Sequence, residues 1–151
     1  MQIEPANVHD LDAVVLLLTA QFAEHQIRLP PAALTEAVRV LLVDGGRGVI
    51  LLAREPEPVG VAVLAYTWTL EHAGLVAWLD ELFVVPERRG HGVGRALLRK
   101  ALDIAKLRGC RAVELEVEKE HTRASHLYER EGFRMLPRQR WSIPVLPVTA
   151  P

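Results

Sequence analysis

The run Leu79-Asp80-Glu81-Leu82-Phe83-Val84-Val85-Pro86, continued by Glu87-Arg88-Arg89-Gly90-His91-Gly92-Val93-Gly94-Arg95-Ala96-Leu97-Leu98, decides the fold. It reads as a buried strand, a glycine-rich turn and the opening of a helix. β-Branched and aromatic side chains favour the strand, and Pro86 ends it because proline donates nothing to a ladder. Leu97, Leu98, Ala101, Leu102 and Ala105 recur three and four apart, the spacing of one helix face. Gly109 is placed to close that helix in a left-handed conformation. Between strand and helix, Gly90, Gly92 and Gly94 occupy alternate positions. Without Cβ atoms, backbone amides can converge there, ahead of the positive end of a helix dipole. Such an arrangement binds anions, above all phosphates.

Working outward, Val49 to Arg54, Val59 to Trp68 and Leu75 to Val85 are runs rich in Val, Ile and Leu, joined by turns at Glu55-Pro56-Glu57-Pro58 and Glu71-His72-Ala73-Gly74. They predict an antiparallel meander. Met1 to Pro5 predicts a short first strand. Asp10 to Glu24 carries Leu11, Val14, Val15, Leu18 and Phe22 at helical spacing with Asp10 as N-cap, and Leu34, Val38, Leu41 and Leu42 form the face of a second helix between Pro30-Pro31 and Gly45-Gly46. Beyond Gly109, Arg111 to Val117 alternates Val113, Leu115 and Val117 with Glu114, Glu116 and Glu118. Strand, helix, strand makes a right-handed crossover, so 79–85 and 111–117 are expected as parallel neighbours. A helix from about His121 to Glu131, ending at Gly132, and a hairpin of Phe133–Leu136 with Arg140–Ile143 complete a mixed α/β (α+β) domain over residues 1–144, with 145–151 as a tail.

The chain has 151 residues, half of them hydrophobic, enough for one core that buries roughly 70% of the unfolded surface. A formal net charge of -1 excludes a global field for nucleic acid or anionic membrane, so an anion site must be local. The single cysteine, Cys110, excludes an intramolecular disulfide and suits a reducing cytoplasm. No run is long enough to span a membrane, and no signal peptide opens the chain. The six histidines, His9, His25, His72, His91, His121 and His126, show no metal-ligand spacing, so no metal is expected. Cys110 reads as a small core hydrophobe rather than a nucleophile, and Trp68, Trp78 and Trp141 as core or pocket lining.

The glycines fit neither classical nucleotide motif. No Lys-Ser/Thr pair follows them as a P-loop requires, and Arg95 stands where a dinucleotide fingerprint needs its third glycine. Instead Arg89-x-x-Gly92-x-Gly94, directly after Val84-Val85-Pro86, resembles the acetyl-CoA pyrophosphate loop of the GNAT superfamily of N-acetyltransferases. Val113-Glu114-Leu115-Glu116-Val117 followed by Ala124-x-x-Leu127-Tyr128-Glu129-x-x-Gly132-Phe133 is similar to the second signature of that family, in the same order. The two cover residues 79–133. His121 stands where the family usually has asparagine, and residues 1–78 match only in pattern.

The resemblance implies a mixed, mostly antiparallel sheet with helices on both faces and a splayed parallel strand pair, the strand ending at Val85 parting from the fifth, often through a bulge. A pantetheine arm would insert between these strands, bonding backbone groups of Leu82, Phe83, Val84 and Val85, with the N–H of Leu82 or Val84 polarising the thioester carbonyl. It further implies that Arg89, Gly90, His91, Gly92, Val93, Gly94 and Arg95 hold the pyrophosphate, with Arg88, Arg89 or Arg95 adding charge-assisted contacts. His121 would support the pantetheine arm or cap its helix. Tyr128 matches the tyrosine that protonates the CoA sulfur. Glu81 and Glu116 match two alternative positions of the general base. The implied activity is transfer of acetyl from acetyl-CoA, without metal, to an amine by direct attack in a ternary complex. Asp80-Glu81 favours a small primary amine over a protein α-amine or lysine, with a non-catalytic CoA-binding module as the rival and a homodimer left open; Glu71 and His72 join Asp80 and Glu81 near the acceptor end or form a solvated turn.

Overall fold

The three central runs fold as expected into long antiparallel strands, and glycine and proline punctuate them. The computed structural model describes residues 1–148; Thr149, Ala150 and Pro151, the end of the expected tail, lie outside the described residues. The chain divides into two compact units, Met1–Leu115 and a second beginning at Glu116.

In the first unit, β1 (Gln2–Pro5), β2 (Gly48–Arg54), β3 (Pro58–Thr69), β4 (Gly74–Val84) and β5 (Ala112–Glu114) form one sheet in sequential order, antiparallel throughout except for the parallel pair β4 and β5. Helices α1 (Leu11–Glu24) and α2 (Pro31–Val43) cover one face. Their Val14, Leu17, Leu18, Leu34 and Val38 pack with Ile50, Leu52, Val61, Val63 and Phe83. Helix α3 (Val93–Leu107) buries Val93, Leu97, Leu98, Ala101 and Ala105. It lies close on the opposite face, where a Cβ on Gly60 would stand 2.9 Å from Leu97 Cδ1. Each fully buried Val or Leu side chain contributes about 1.5–3 kcal/mol, and an Ala methyl about 0.8 kcal/mol. Gly109, at φ +83°, closes α3 as predicted, with its N–H on Lys106 O and that of Cys110 on Ala105 O.

Three expectations are corrected. Asp10 does not cap α1 with its side chain. Its carboxylate accepts from Asn7 N–H at 2.9 Å and pairs with Arg54, while Asn7 caps the short 3₁₀ turn Val8–Asp10 that leads into the helix. The core stripe of α1 is Val14, Leu17, Leu18 and Gln21, with Leu11, Val15 and Phe22 on its flanks. β5 is three residues long, not seven, and pairs Val76–Trp78 with Ala112–Glu114 rather than meeting 79–85.

The second unit contains α4 (Thr122–Arg130). The predicted hairpin of 133–136 with 140–143 does not form; no strand occurs among the described residues from Glu116 onward. Met135, Trp141 and Ile143 are all more than three-quarters exposed. β-propensity there is not matched by burial, and packing is what strand propensity measures. No helix among the described residues is long and apolar enough to cross a membrane.

Candidate active site

A one-residue irregularity in β4 sets the site. Val63 pairs with Glu81 but Leu64 pairs with Leu79, so Asp80 is the extra residue of a bulge. Strict alternation from Trp78 would send Glu81 and Phe83 to the α3 side. The bulge shifts the phase, so Trp78, Glu81 and Phe83 share the α1/α2 face, and Glu114, paired with Trp78, joins them. Asp80 itself is exposed.

The parallel ladder also stops at Trp78, immediately before the bulge. From Leu79 to Val84 the outer edge of β4 has no neighbouring strand among the described residues. Val85 N–H returns to Val59 O at 2.9 Å, so by alternation Phe83 and Val85 direct their backbone groups to β3, whereas Leu82 and Val84 direct theirs to the open edge. This is an edge to which an extended chain carrying amides can add.

Glu81 is half-buried, and that burial, with the charge of neighbouring Asp80 as the smaller cause, pushes its carboxyl up from the ordinary 4.5 to about 7. A carboxyl with that value exchanges protons readily near neutrality. Close by in the fold is a pair that sequence reasoning missed. His72 Nε2 lies 2.6 Å from Glu114 Oε1 and 3.7 Å from Glu71 Oε1. From sequence, His72 reads either as part of a cluster at the acceptor end or as part of a solvated turn, and Glu114 as one of three alternating glutamates; their pairing follows only from the ladder register. The three donor atoms fall within 4.8 Å of one another, but the imidazole N–H donates to the Glu114 carboxylate, so these atoms serve each other.

The glycine loop follows. Gly90 and Gly92 take φ of +80° and +85°, a region that L side chains rarely enter, and Gly92 is the N-cap of α3 without any side-chain cap. A Cβ on Gly92 would meet nothing within 4 Å, so the space in front of the helix is open. The first helical bond runs from Ala96 N–H to Gly92 O at 3.0 Å, so the amides of the preceding turn point toward that space. His91 Nδ1 lies 2.9 Å from Arg89 O. Arg88 is ion-paired with Glu55. Arg89 turns back to Val84 and Glu24, as described below.

Glu81 and residues 82–95 therefore belong to the first unit, while Glu116, His121 and Tyr128 belong to the second. Within the second, Gly132 at φ +95° ends α4, with its N–H on Glu129 O and that of Phe133 on Tyr128 O. The Tyr128 and Phe133 rings meet edge-on at 5.7 Å. The Leu-Tyr-Glu-x-x-Gly-Phe signature is thus a helix-terminating device whose apolar clasp fixes the Tyr128 ring. His121 occupies the N-cap position of α4 without a side-chain capping bond, and Glu116, 60% exposed, pairs with Arg140 at 3.1 Å.

Comparison with known proteins shows the family and the fold. The family model described as acetyltransferase (GNAT) family matches residues 11–133. The Bacillus subtilis protein YhfO, described as an uncharacterized N-acetyltransferase, is 31% identical over 134 residues, 88% of this chain and 89% of that one. Among longer curated relatives, the chain spans 34% of one and 24% of another. An integron cassette protein from the mobile metagenome of Cole Harbour salt marsh superposes with a TM-score of 0.87 at 30% identity, over 97% of this chain and 91% of that one. At 19% identity and a TM-score of 0.82, covering 95% and 93%, an aminoglycoside N-acetyltransferase in complex with CoA shares the fold.

Proposed function

Because the chain belongs to the acetyltransferase (GNAT) family, we propose that it transfers an acetyl group from acetyl-CoA to a small primary amine by direct attack in a ternary complex. The observation that carries this reading is Glu81, a half-buried carboxyl with a value of about 7, set by a bulge beside a strand edge open to an extended ligand. Acetyl-CoA, when bound, supplies an activated thioester and a thiol leaving group.

The residues fit such a ligand. Leu82 and Val84 offer outward backbone groups at the open edge, and the N–H of one of them polarises the carbonyl that is attacked. Gly90 to Arg95 present first-turn amides and a helix N-terminus to the pyrophosphate, with open space at Gly92. Glu81 takes a proton from the acceptor ammonium, directly or through a water. As the C–N bond forms and the C–S bond breaks, the nitrogen sheds its second proton to solvent, and the departing thiolate takes one from the Tyr128 phenol. Tyr128 is assigned by its place in the second signature, where the Phe133 clasp orients its ring.

Two adjacent carboxylates, Asp80 and Glu81, favour a cationic acceptor small enough to approach the bulge. Glu116, exposed and ion-paired with Arg140, gives less support to a peptide α-amine acceptor. The test is a screen of polyamines, aminoglycosides, amino-acid derivatives and peptide N-termini with acetyl-CoA, read by release of free thiol. Turnover of a small cationic amine is the expected result. Preferential turnover of peptides, or binding of acetyl-CoA with no acceptor turned over, would replace this reading by the peptide or non-catalytic alternative.

A further inference from the structure

Arg89 stands directly before Gly90, where a phosphate-binding guanidinium would be expected to point into the anion site, yet its atoms are engaged elsewhere. Nε donates to Val84 O at 2.8 Å, Nη2 donates to Glu24 Oε1 at 2.6 Å, and the guanidinium carbon lies 5.4 Å from the centroid of the Phe83 ring. Val84 O faces the open edge of β4, Glu24 is the last residue of α1, and Phe83 is 4% exposed within the core. One planar fork thus joins a strand edge, a helix end and a core aromatic ring. The residue that carries it begins a segment whose next glycine and next-but-one glycine both have positive φ.

We infer that Arg89 is a positioning residue rather than a phosphate ligand: with Glu24 it clamps the root of the glycine loop to the β4 edge, and the anion is held by the loop amides. The inference deepens the acetyl-CoA reading and rests on it. Glycines sample backbone space widely, so a loop of Gly-x-Gly-x-Gly has little stiffness of its own. An anion site made of amides works only if those amides are already aimed, and restricting the loop before binding spares that ordering cost at the moment of binding. Arg89 is suited to this because its fork fixes a plane by two bonds at once, which the point charge of a lysine cannot do. The clamp makes Glu24, 65 residues away in sequence, a part of the acyl-donor site.

Titration calorimetry with acetyl-CoA at several salt concentrations tests this on the wild type, Arg89→Ala, Arg89→Lys, Glu24→Gln and the double variant Glu24→Gln/Arg89→Ala. Arg89→Ala and Arg89→Lys are both expected to weaken binding by about tenfold, because lysine keeps the charge but not the fork. Glu24→Gln should weaken it by about two- to fivefold, the range of a partly exposed pair. The double variant should bind no worse than Arg89→Ala, since both changes cut one link. The slope of affinity against salt should stay at the wild-type value in all of them. A direct phosphate ligand behaves differently: Arg89→Lys retains affinity, Arg89→Ala loses about one charge of salt dependence, and Glu24→Gln binds more tightly because the guanidinium is released. Any of these overturns the inference while leaving the acetyl-CoA reading in place. Failure of the wild type to bind acetyl-CoA overturns both, and is visible without any variant.

Discussion

Replacing Glu81 with glutamine removes the charge while keeping the shape, and its consequences for stability and for rate depend on pH in a linked way. Folding lifts this carboxyl from 4.5 to about 7, chiefly by burial. Between those values the folded chain holds a proton that the unfolded chain has released, so stability falls as pH rises through the window. The contribution is fully present below the lower value and lost above the upper one. At 1.36 kcal/mol per decade the whole interval corresponds to at most about 3 kcal/mol. The side chain still reaches solvent, and screening there reduces the figure to about 1–2 kcal/mol. Glu81→Gln should therefore be more stable than wild type by that amount at about pH 8, a gain of about 3–6 °C in Tm for a chain of this size, and equal to it at about pH 4. Thermal melts at the two pH values measure this. In the same variant kcat/KM should fall by about 10²–10⁴, and the rise with an apparent pKa near 7 should vanish. Glu116→Gln, which breaks an exposed pair, should leave both profiles in place. A Tm difference independent of pH, or a kinetic rise that survives in Glu81→Gln, would refute the assignment of Glu81 as the base.

Tyr128→Phe should lower turnover by about 10²–10⁴ with little change in acetyl-CoA affinity, since the ring contact with Phe133 is retained; unchanged turnover returns Tyr128 to a capping role alone. Acetyl-CoA at about 100 times its Kd should stabilise the wild type by about 3 kcal/mol in a thermal shift, and Gly92→Glu, which sets a carboxylate in the open space before α3, should abolish the shift. Gly48→Ala should destabilise by about 3 kcal/mol or more in denaturant titration, because the new Cβ would stand 2.0 Å from Leu64 O in the partner strand; a near-neutral result would mean that β2 and β3 do not pair in the observed register.

The glycine loop was legible from sequence because its signal is local: Gly90 and Gly92 are free to take the positive φ the turn uses, and the helix after them carries its own period. The two central hairpins were legible for the same reason, being short connections between β-branched runs. The position of the bulge was not, although the resemblance implies one in this strand. Asp80 has no glycine or proline beside it to mark the place, and it shows only in the register, where 81–84 pair with 60–63 and 74–79 with 64–69. Arg111–Val117 alternates as a strand should, yet its pairing ends at Glu114, because β4 leaves the ladder at Trp78. Alternation reports a willingness to pair, and the partner sets how far pairing extends. The 133–143 segment makes the same point, with strand-forming side chains left exposed. The role of Glu24 and the pairing of His72 with Glu114 were not legible, because each depends on a partner at least 40 residues away.

The extra residue at Asp80 also makes the chemistry of β4 a matter of counting. Absorb it into a regular ladder and every side chain from Glu81 onward changes sides: the carboxyl moves to the α3 side, and Leu82 takes its place opposite α1, whereas deleting it leaves Leu79 and Glu81 as consecutive partners of Leu64 and Val63 with their faces kept. In the regular ladder the Asp-Glu-Leu-Phe-Val spelling would be untouched, yet the proposed proton acceptor would face the wrong side of the sheet. Loss of the bulge is thus a parity error, one that changes no letter a reader of the sequence would use to infer the proposed reaction.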